Sequence, residues 1–209
     1  MAFDEESATA DELWAWYVKE YESQSGIVAK LYDNFFAKLQ QMLQGVPQQA
    51  SVLEVGAGPC YSSRRIHAML EGQTFAASEY DQRLVGKLQE QQLPFPVTQE
   101  NVTELSFADN SFHTVICLEV LEHVADYEQA LQELFRVAEH QVILSVPNEP
   151  LWRFLNMVRG SYLSDWGNTP GHINHWSPGA LKRLVANHGE VVRLSRPLPW
   201  AMVQVNSPG

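Results

Sequence analysis

Cysteine is nearly absent: the 209 residues include two, Cys60 and Cys117. That excludes the disulfide framework of a small secreted domain, and both thiols are expected to be partly buried in a reducing cytoplasm. Basic charge is scarce as well. Fourteen Lys and Arg against 25 acids give a formal charge of -11, which suits long phosphate backbones poorly, so nucleic acid is not the expected partner. No apolar run approaches the length of a membrane span. The opening Phe3-Asp4-Glu5-Glu6 is acidic where a secretory leader is basic and then apolar, so a cytoplasmic location is the expectation. Repeats and low-complexity tracts are missing too. What is present, 45% hydrophobic and 19% charged residues, suits one ordinary core with an appendage.

The apolar pattern has a clear order. Leu13, Trp14 and Tyr17 open one amphipathic helix, and Ile27, Leu31, Phe35, Leu39 and Met42 mark another that Gly45-Val46-Pro47 ends. Strands are then expected at 51–55, 74–79, 96–100, 112–118 and 141–146, with helices at about 61–71, 82–92 and 126–138 between them. Ser177 and Pro178 start a helix that Gly189 ends. Two last strands, about 190–196 and 200–205, flank a tight reversal at Pro197-Leu198-Pro199. Alternation of this kind predicts an α/β fold: a Rossmann-like, mostly parallel seven-stranded sheet with helices on both faces. Residues 1–48 are expected to form an N-terminal helical cap, and 49–209 a core with a lid at about 148–176.

The most telling segment is Ser51 to Pro59, a buried strand running into a glycine turn, with Glu54 inside the strand. Glu79 ends the next strand, where it can accept hydrogen bonds from both hydroxyls of a ribose. An adenosine cofactor is therefore expected, with the backbone N–H groups after Gly58 holding an anionic group at a helix N-terminus. A dinucleotide fingerprint requires a third glycine at the position of Tyr61, which weakens that reading.

Glu54-Val55-Gly56-Ala57-Gly58 resembles the first motif of class I S-adenosylmethionine (SAM) dependent methyltransferases of the type 11-like kind. Glu79-Tyr80 resembles their second-strand acid and its adenine-packing neighbour. Asn101 to Phe107, then Asp109 to Phe112, is similar to the adenine-contacting segment. Val115 to Val124 resembles the fourth strand and its exit, and Ile143 to Asn148 the fifth. The resemblance spans about 50–205 and departs from the family at Cys60, usually a third glycine, and at Asn101, usually an acid. It implies SAM as cofactor, held by Glu54, Gly56, Ala57, Gly58, Glu79, Tyr80, Asn101, Val102 and Leu118. Ser62 and Ser63 are either added donors or ordinary helix-start residues.

Glu119, Glu122 and His123 share one face if they form a first helical turn. Acids are also favoured there by the helix dipole. With His172 and His175 in Pro170 to Trp176, they resemble the metal sites of ubiquinone-pathway O-methyltransferases and of small-RNA end 2′-O-methyltransferases. That resemblance implies Glu119, Glu122, His123 and His172 as ligands of Mg²⁺, Mn²⁺ or Zn²⁺. Without a metal, His123 is the candidate base beside Glu119. The aromatic segment 148–176 reads as a lid over an apolar pocket, with Trp152, Arg153, His175 and Trp176 as acceptor-side candidates and Arg159 as a further cation. A local hydrophobic cluster would leave the same pattern. Trp14, Trp16, Tyr17 and Tyr21 either close the pocket's other side or pack on the sheet. The run after the fourth strand lacks the Asn/Asp-Pro-Pro-aromatic sequence of enzymes that methylate planar amines. A small-molecule acceptor, methylated on oxygen, is the leading expectation; an NAD(P)-dependent oxidoreductase and a catalytically silent SAM-binding module are the alternatives. Oligomeric state is left open.

Overall fold

A computed structural model describes residues 7–22 and 26–208; the acidic opening Phe3 to Glu6 lies outside the described residues. Helices α1 (Ala10–Glu22) and α2 (Gly26–Leu43) precede the sheet. The first half then runs β1 (Ser51–Val55), α3 (Tyr61–Met69), β2 (Thr74–Glu79), α4 (Gln82–Gln89) and β3 (Val97–Gln99). The second runs β4 (Phe112–Leu118), α5 (Tyr127–Val137), β5 (Ala138–Pro147), α6 (Leu151–Val158), α7 (Pro178–Val185), β6 (Glu190–Ser195) and β7 (Trp200–Asn206). Short 3-10 turns lie at Leu121–His123 and Leu163–Asp165.

The seven strands form one sheet in the order β3-β2-β1-β4-β5-β7-β6. Strands β1 to β5 are parallel, and β7 runs antiparallel between β5 and β6. The chain moves outward from β1 to β3 and returns to β4 on the other side of β1. This reversal opens a crevice at the carboxyl ends of β1 and β4, where open α/β sheets bind ligands. The glycine turn follows β1 and the Glu119–His123 segment follows β4, so topology alone brings them together.

Strand alternation divides the core in two. Leu53, Val55, Val115, Cys117, Val142 and Leu144 pack with α5 and α7. Val52, Ile116, Ile143 and Met202 pack with α2 and α3. Pleating therefore points Glu54, two residues after Val52, toward α3. Phe35, Leu39 and Met42 of α2 are buried as their spacing predicts. Ile27 is 75% exposed, because the part of α2 that packs on the sheet's hydrophobic cluster begins at Leu31.

Strand β5 starts three residues before its expected position, since α5 passes directly into extended backbone at Ala138. The 197–199 reversal is tight: Trp200 N donates to Pro197 O at 2.7 Å. Asn148 and Trp176 pair in an isolated bridge, so the segment between them leaves the sheet and returns at one place. Among the described residues no helix is long and apolar enough to cross a membrane.

Candidate active site

The glycine turn is fixed by bonds to β2. Gly56 N and Ala57 N both donate to Ser78 O at 2.9 Å. Gly56 has φ +77°, and a Cβ there would fall 2.3 Å from Val120 Cγ2, so any side chain would collide with the exit of β4. Gly58 is different: it has φ +52° and nothing within 4 Å of a built Cβ. The turn therefore faces open space at Gly58, room that a ligand can occupy. Cys60 holds φ +63°, a left-handed conformation that favours glycine, and burial pushes its thiol up to about 12.

Glu79 receives Gly58 N at 2.7 Å on one carboxylate oxygen and Asp81 N at 2.9 Å on the other. Burial raises its pKa against these bonds. Beside it Tyr80 is 68% exposed, a ring face open to stacking. Glu54 accepts from the buried Ser63 hydroxyl at 2.5 Å, so that hydroxyl is already engaged by the fold. Burial outweighs the Ser62 and Ser63 hydroxyls and raises Glu54 to about 7. Its Oε1 is buried with no hydrogen-bond partner among the described residues. Asn101 Oδ1 closes a local turn on Thr103 N at 3.0 Å and Oγ1 at 2.8 Å, while Val102 and Leu118 are buried. An open glycine turn, a strand-end acid, an exposed ring and an unpaired buried carboxylate oxygen together fit a polar, ribose-bearing, amine-bearing ligand such as SAM.

Beyond β4 the expected shared helical face does not form. Glu119 has φ +57°, a left-handed backbone that cannot enter a helix, and the turn that follows is 3-10. Glu119 Oε1 accepts from Ser145 Oγ at 2.7 Å. Burial overrides that bond and the Trp200 side chain and raises Glu119 to about 8. Glu122 is 1% exposed, and neither carboxylate oxygen has a hydrogen-bond partner among the described residues. Burial, then the neighbouring Glu119, raises its pKa well above the carboxylate range.

Loop 168–176 completes the site. Ligand atoms of Glu122, His123 and His172 all lie within 4.8 Å of one another; Glu119 is not part of that group. The two imidazoles meet edge to face at 4.8 Å. His123 Nδ1 lies 3.0 Å from Gly171 O. A carbonyl only accepts, so Nδ1 carries the proton and Nε2 the basic lone pair. Burial lowers the His172 pKa to about 4, with His123 and His175 adding to the shift, so both its nitrogens stay uncharged at neutral pH.

The residues of segment 148–176, where a lid is expected, divide. Trp152 stacks over His172 at 6.1 Å and donates to Thr169 Oγ1 at 2.9 Å. Arg153 Nε donates to Trp166 O at 3.1 Å, and Arg159 to Asn156 Oδ1 at 2.5 Å. His175 Nε2 pairs with Asn168 Oδ1 at 2.7 Å, and Trp176 packs on Tyr127. The Arg153, Arg159 and His175 bonds stay within segment 148–176, whereas Trp176 anchors it to α5. Ser145, Trp200 and Gly171 reach the site although none was singled out, Ser145 and Gly171 lying inside segments read for other residues. Ser145 had one signal, a lone hydroxyl in the apolar run Val142–Val146, and Gly171 had another, a glycine beside His172 that holds φ +83° with His123 Nδ1 3.2 Å from a built Cβ.

Residues 53–146 match the family model described as a methyltransferase domain. Over that stretch the chain carries a methyltransferase domain. The match covers β1 through β5, the stretch that holds the glycine turn, Glu79 and the Glu119–His123 segment. The dinucleotide alternative falls with it, and Tyr61 opens α3 where that fingerprint's third glycine would sit.

Solved structures agree in fold. A candidate methyltransferase in complex with the Haloferax volcanii Trm112 methyltransferase activator aligns over 95% of this chain and 98% of its own, with TM-score 0.68 and 13% identity. Magnesium protoporphyrin IX methyltransferase from Synechocystis, with bound S-adenosylhomocysteine, aligns over 88% and 89%, with TM-score 0.63 and 18% identity. A SAM-dependent methyltransferase from Aquifex aeolicus aligns over 80% and 88%, with TM-score 0.61 and 16% identity. At such identities the likeness is one of fold. No curated protein sequence matches the chain.

Proposed function

We propose that this methyltransferase transfers the methyl group of SAM to a hydroxyl oxygen of a small organic acceptor held between the glycine turn and Glu122, His123 and His172. One observation carries the reading: Glu122 is a buried carboxylate with no hydrogen-bond partner among the described residues, beside two imidazoles that burial keeps uncharged. A carboxylate so placed is stable only when protonated or matched by a cation. The adjoining nitrogen lone pairs supply the remaining donors for a cation. Glu122, His123 and His172 are thus proposed as its ligands, with Glu119 at the margin, and the mixed nitrogen and oxygen set suits Mn²⁺ or Zn²⁺ better than Mg²⁺. A divalent cation there would lower the pKa of an acceptor hydroxyl.

On the donor side, Glu79 is proposed to hold the ribose. Gly56, Ala57 and Gly58, with Glu54 behind them, shape the amino-acid end; Tyr80, Asn101, Val102 and Leu118 surround adenine. SAM supplies a methyl carbon already activated by its sulfonium. The acceptor oxygen bonds that carbon as the carbon–sulfur pair returns to sulfur, and the hydroxyl proton leaves to His123 Nε2 where no cation holds that lone pair. Trp152, one ring away from the group, is proposed as the acceptor's wall, with Arg153, His175 and Trp176 shaping the lid around it. The charge of -11 favours a small acceptor over a nucleic acid.

Incubation with SAM bearing an isotope-labelled methyl group and a panel of phenols, amines and carbon acids, read by product NMR, is the test. An O-methyl product from a phenol is expected; N- or C-methyl products alone would refute the oxygen assignment, and no product from any class would favour a silent binding module. Activity that survives exhaustive chelation and Glu122→Ala would remove the cation.

A further inference from the structure

The loop bearing His172 is fastened to the 121–124 turn mainly through one residue. Asn174 donates from its backbone N–H to Glu122 O at 3.1 Å. Its side-chain amide donates to Leu121 O at 3.1 Å and to Val124 O at 2.7 Å. Ile173 N adds a bond to Glu122 O at 2.9 Å, while the Ile173 side chain is exposed. Apolar packing by this loop residue therefore contributes little, and hydrogen bonds carry the attachment.

In the short 3-10 turn Leu121 O receives Val124 N at 3.2 Å, and Val124 O lies just past its end. A primary amide adds a donor to Leu121 O and another to Val124 O from one planar nitrogen. Aspartate has the same shape and no donor. His172 lies two residues before Asn174, and Gly171, one further back, holds His123 Nδ1. The relative placement of all three members of the group is thus set through this clamp.

We propose that Asn174 is the positioning residue that brings His172 to Glu122 and His123. The proposal rests on reading that group as the acceptor-activating site. Its test uses the full chain, Mn²⁺ as the probe and S-adenosylhomocysteine as a control for the rest of the cleft. Asn174→Ala and Asn174→Asp are expected to keep S-adenosylhomocysteine affinity within about twofold and to lose Mn²⁺ affinity by about tenfold or more, two modest hydrogen bonds being at stake. The aspartate variant separates positioning from charge. An added carboxylate beside a cation would raise affinity by charge alone, so a loss there supports the clamp. Asn174→Ser, with one donor, is expected to recover part of the loss.

Unchanged Mn²⁺ affinity in Asn174→Ala overturns the proposal. An equal loss of S-adenosylhomocysteine binding also overturns it, by showing a general stabilising role. If the wild-type chain takes up no Mn²⁺, the cation reading fails by itself. The clamp is then judged by the NMR contact between the His123 and His172 rings, 4.8 Å apart: it is expected in the wild type and lost in Asn174→Ala, and its persistence in the variant overturns the clamp.

Discussion

At the scale of single residues, two positions near the glycine turn make opposite demands. Gly56 has neither the backbone conformation nor the space for a side chain. Gly56→Ala is expected to cost about 2–4 kcal/mol in chemical denaturation, from left-handed strain and overpacking against Val120, and to abolish S-adenosylhomocysteine binding. Glu54 shows its character through pH. Its folded carboxyl is raised to about 7 by burial, so below the ordinary carboxylate range it is protonated folded or unfolded and its contribution is fully present. As pH rises the unfolded chain releases the proton first, and stability falls until the folded group also ionises near 7. Glu54→Gln is expected to lack that fall, and the wild type to lose on the order of 3 kcal/mol relative to it between pH 4 and pH 8. Parallel stability curves for the two proteins would show that Glu54 is not desolvated.

At the scale of elements, helix α2 is part of the core. Leu39 is fully buried between the helix and the sheet, and Leu39→Ala is expected to destabilise by about 2–5 kcal/mol. A loss below roughly 1 kcal/mol would mean that α2 lies over the sheet without packing into it. Segment 148–176 has its own weak point. A Cβ at Gly167 would fall 2.2 Å from Arg153 O, so Gly167→Ala is expected to displace α6, and Trp152 with it. The fluorescence of that tryptophan should shift while S-adenosylhomocysteine affinity holds; unchanged emission would contradict the packing described.

How much of this was legible in the sequence follows the range of the interactions. The strand, glycine turn and Glu79 are written in one short stretch, and the order of the strands follows from alternating patterns, so both could be read directly. Glu119 could not. Its left-handed backbone and its bond to Ser145 depend on the neighbouring strand β5, and local spacing suggests a helical turn instead. His172 was legible as a residue type, but its distance from Glu122 depends on Asn174 and Gly171, whose bonds span about fifty positions of chain.

At the scale of the whole molecule, the sheet reversal between β1 and β4 places the glycine turn and a buried acid–imidazole group at one crevice, with a segment that leaves and returns at Asn148 and Trp176. The central claim is that this crevice holds the methyl donor with Glu79 on its ribose. Calorimetric titration of S-adenosylhomocysteine into the wild-type chain and into Glu79→Ala tests it most directly. One-to-one binding in the wild type, weakened by about tenfold or more in the variant, is the predicted result. No binding to the wild type at millimolar ligand, or equal affinity in both proteins, would contradict it.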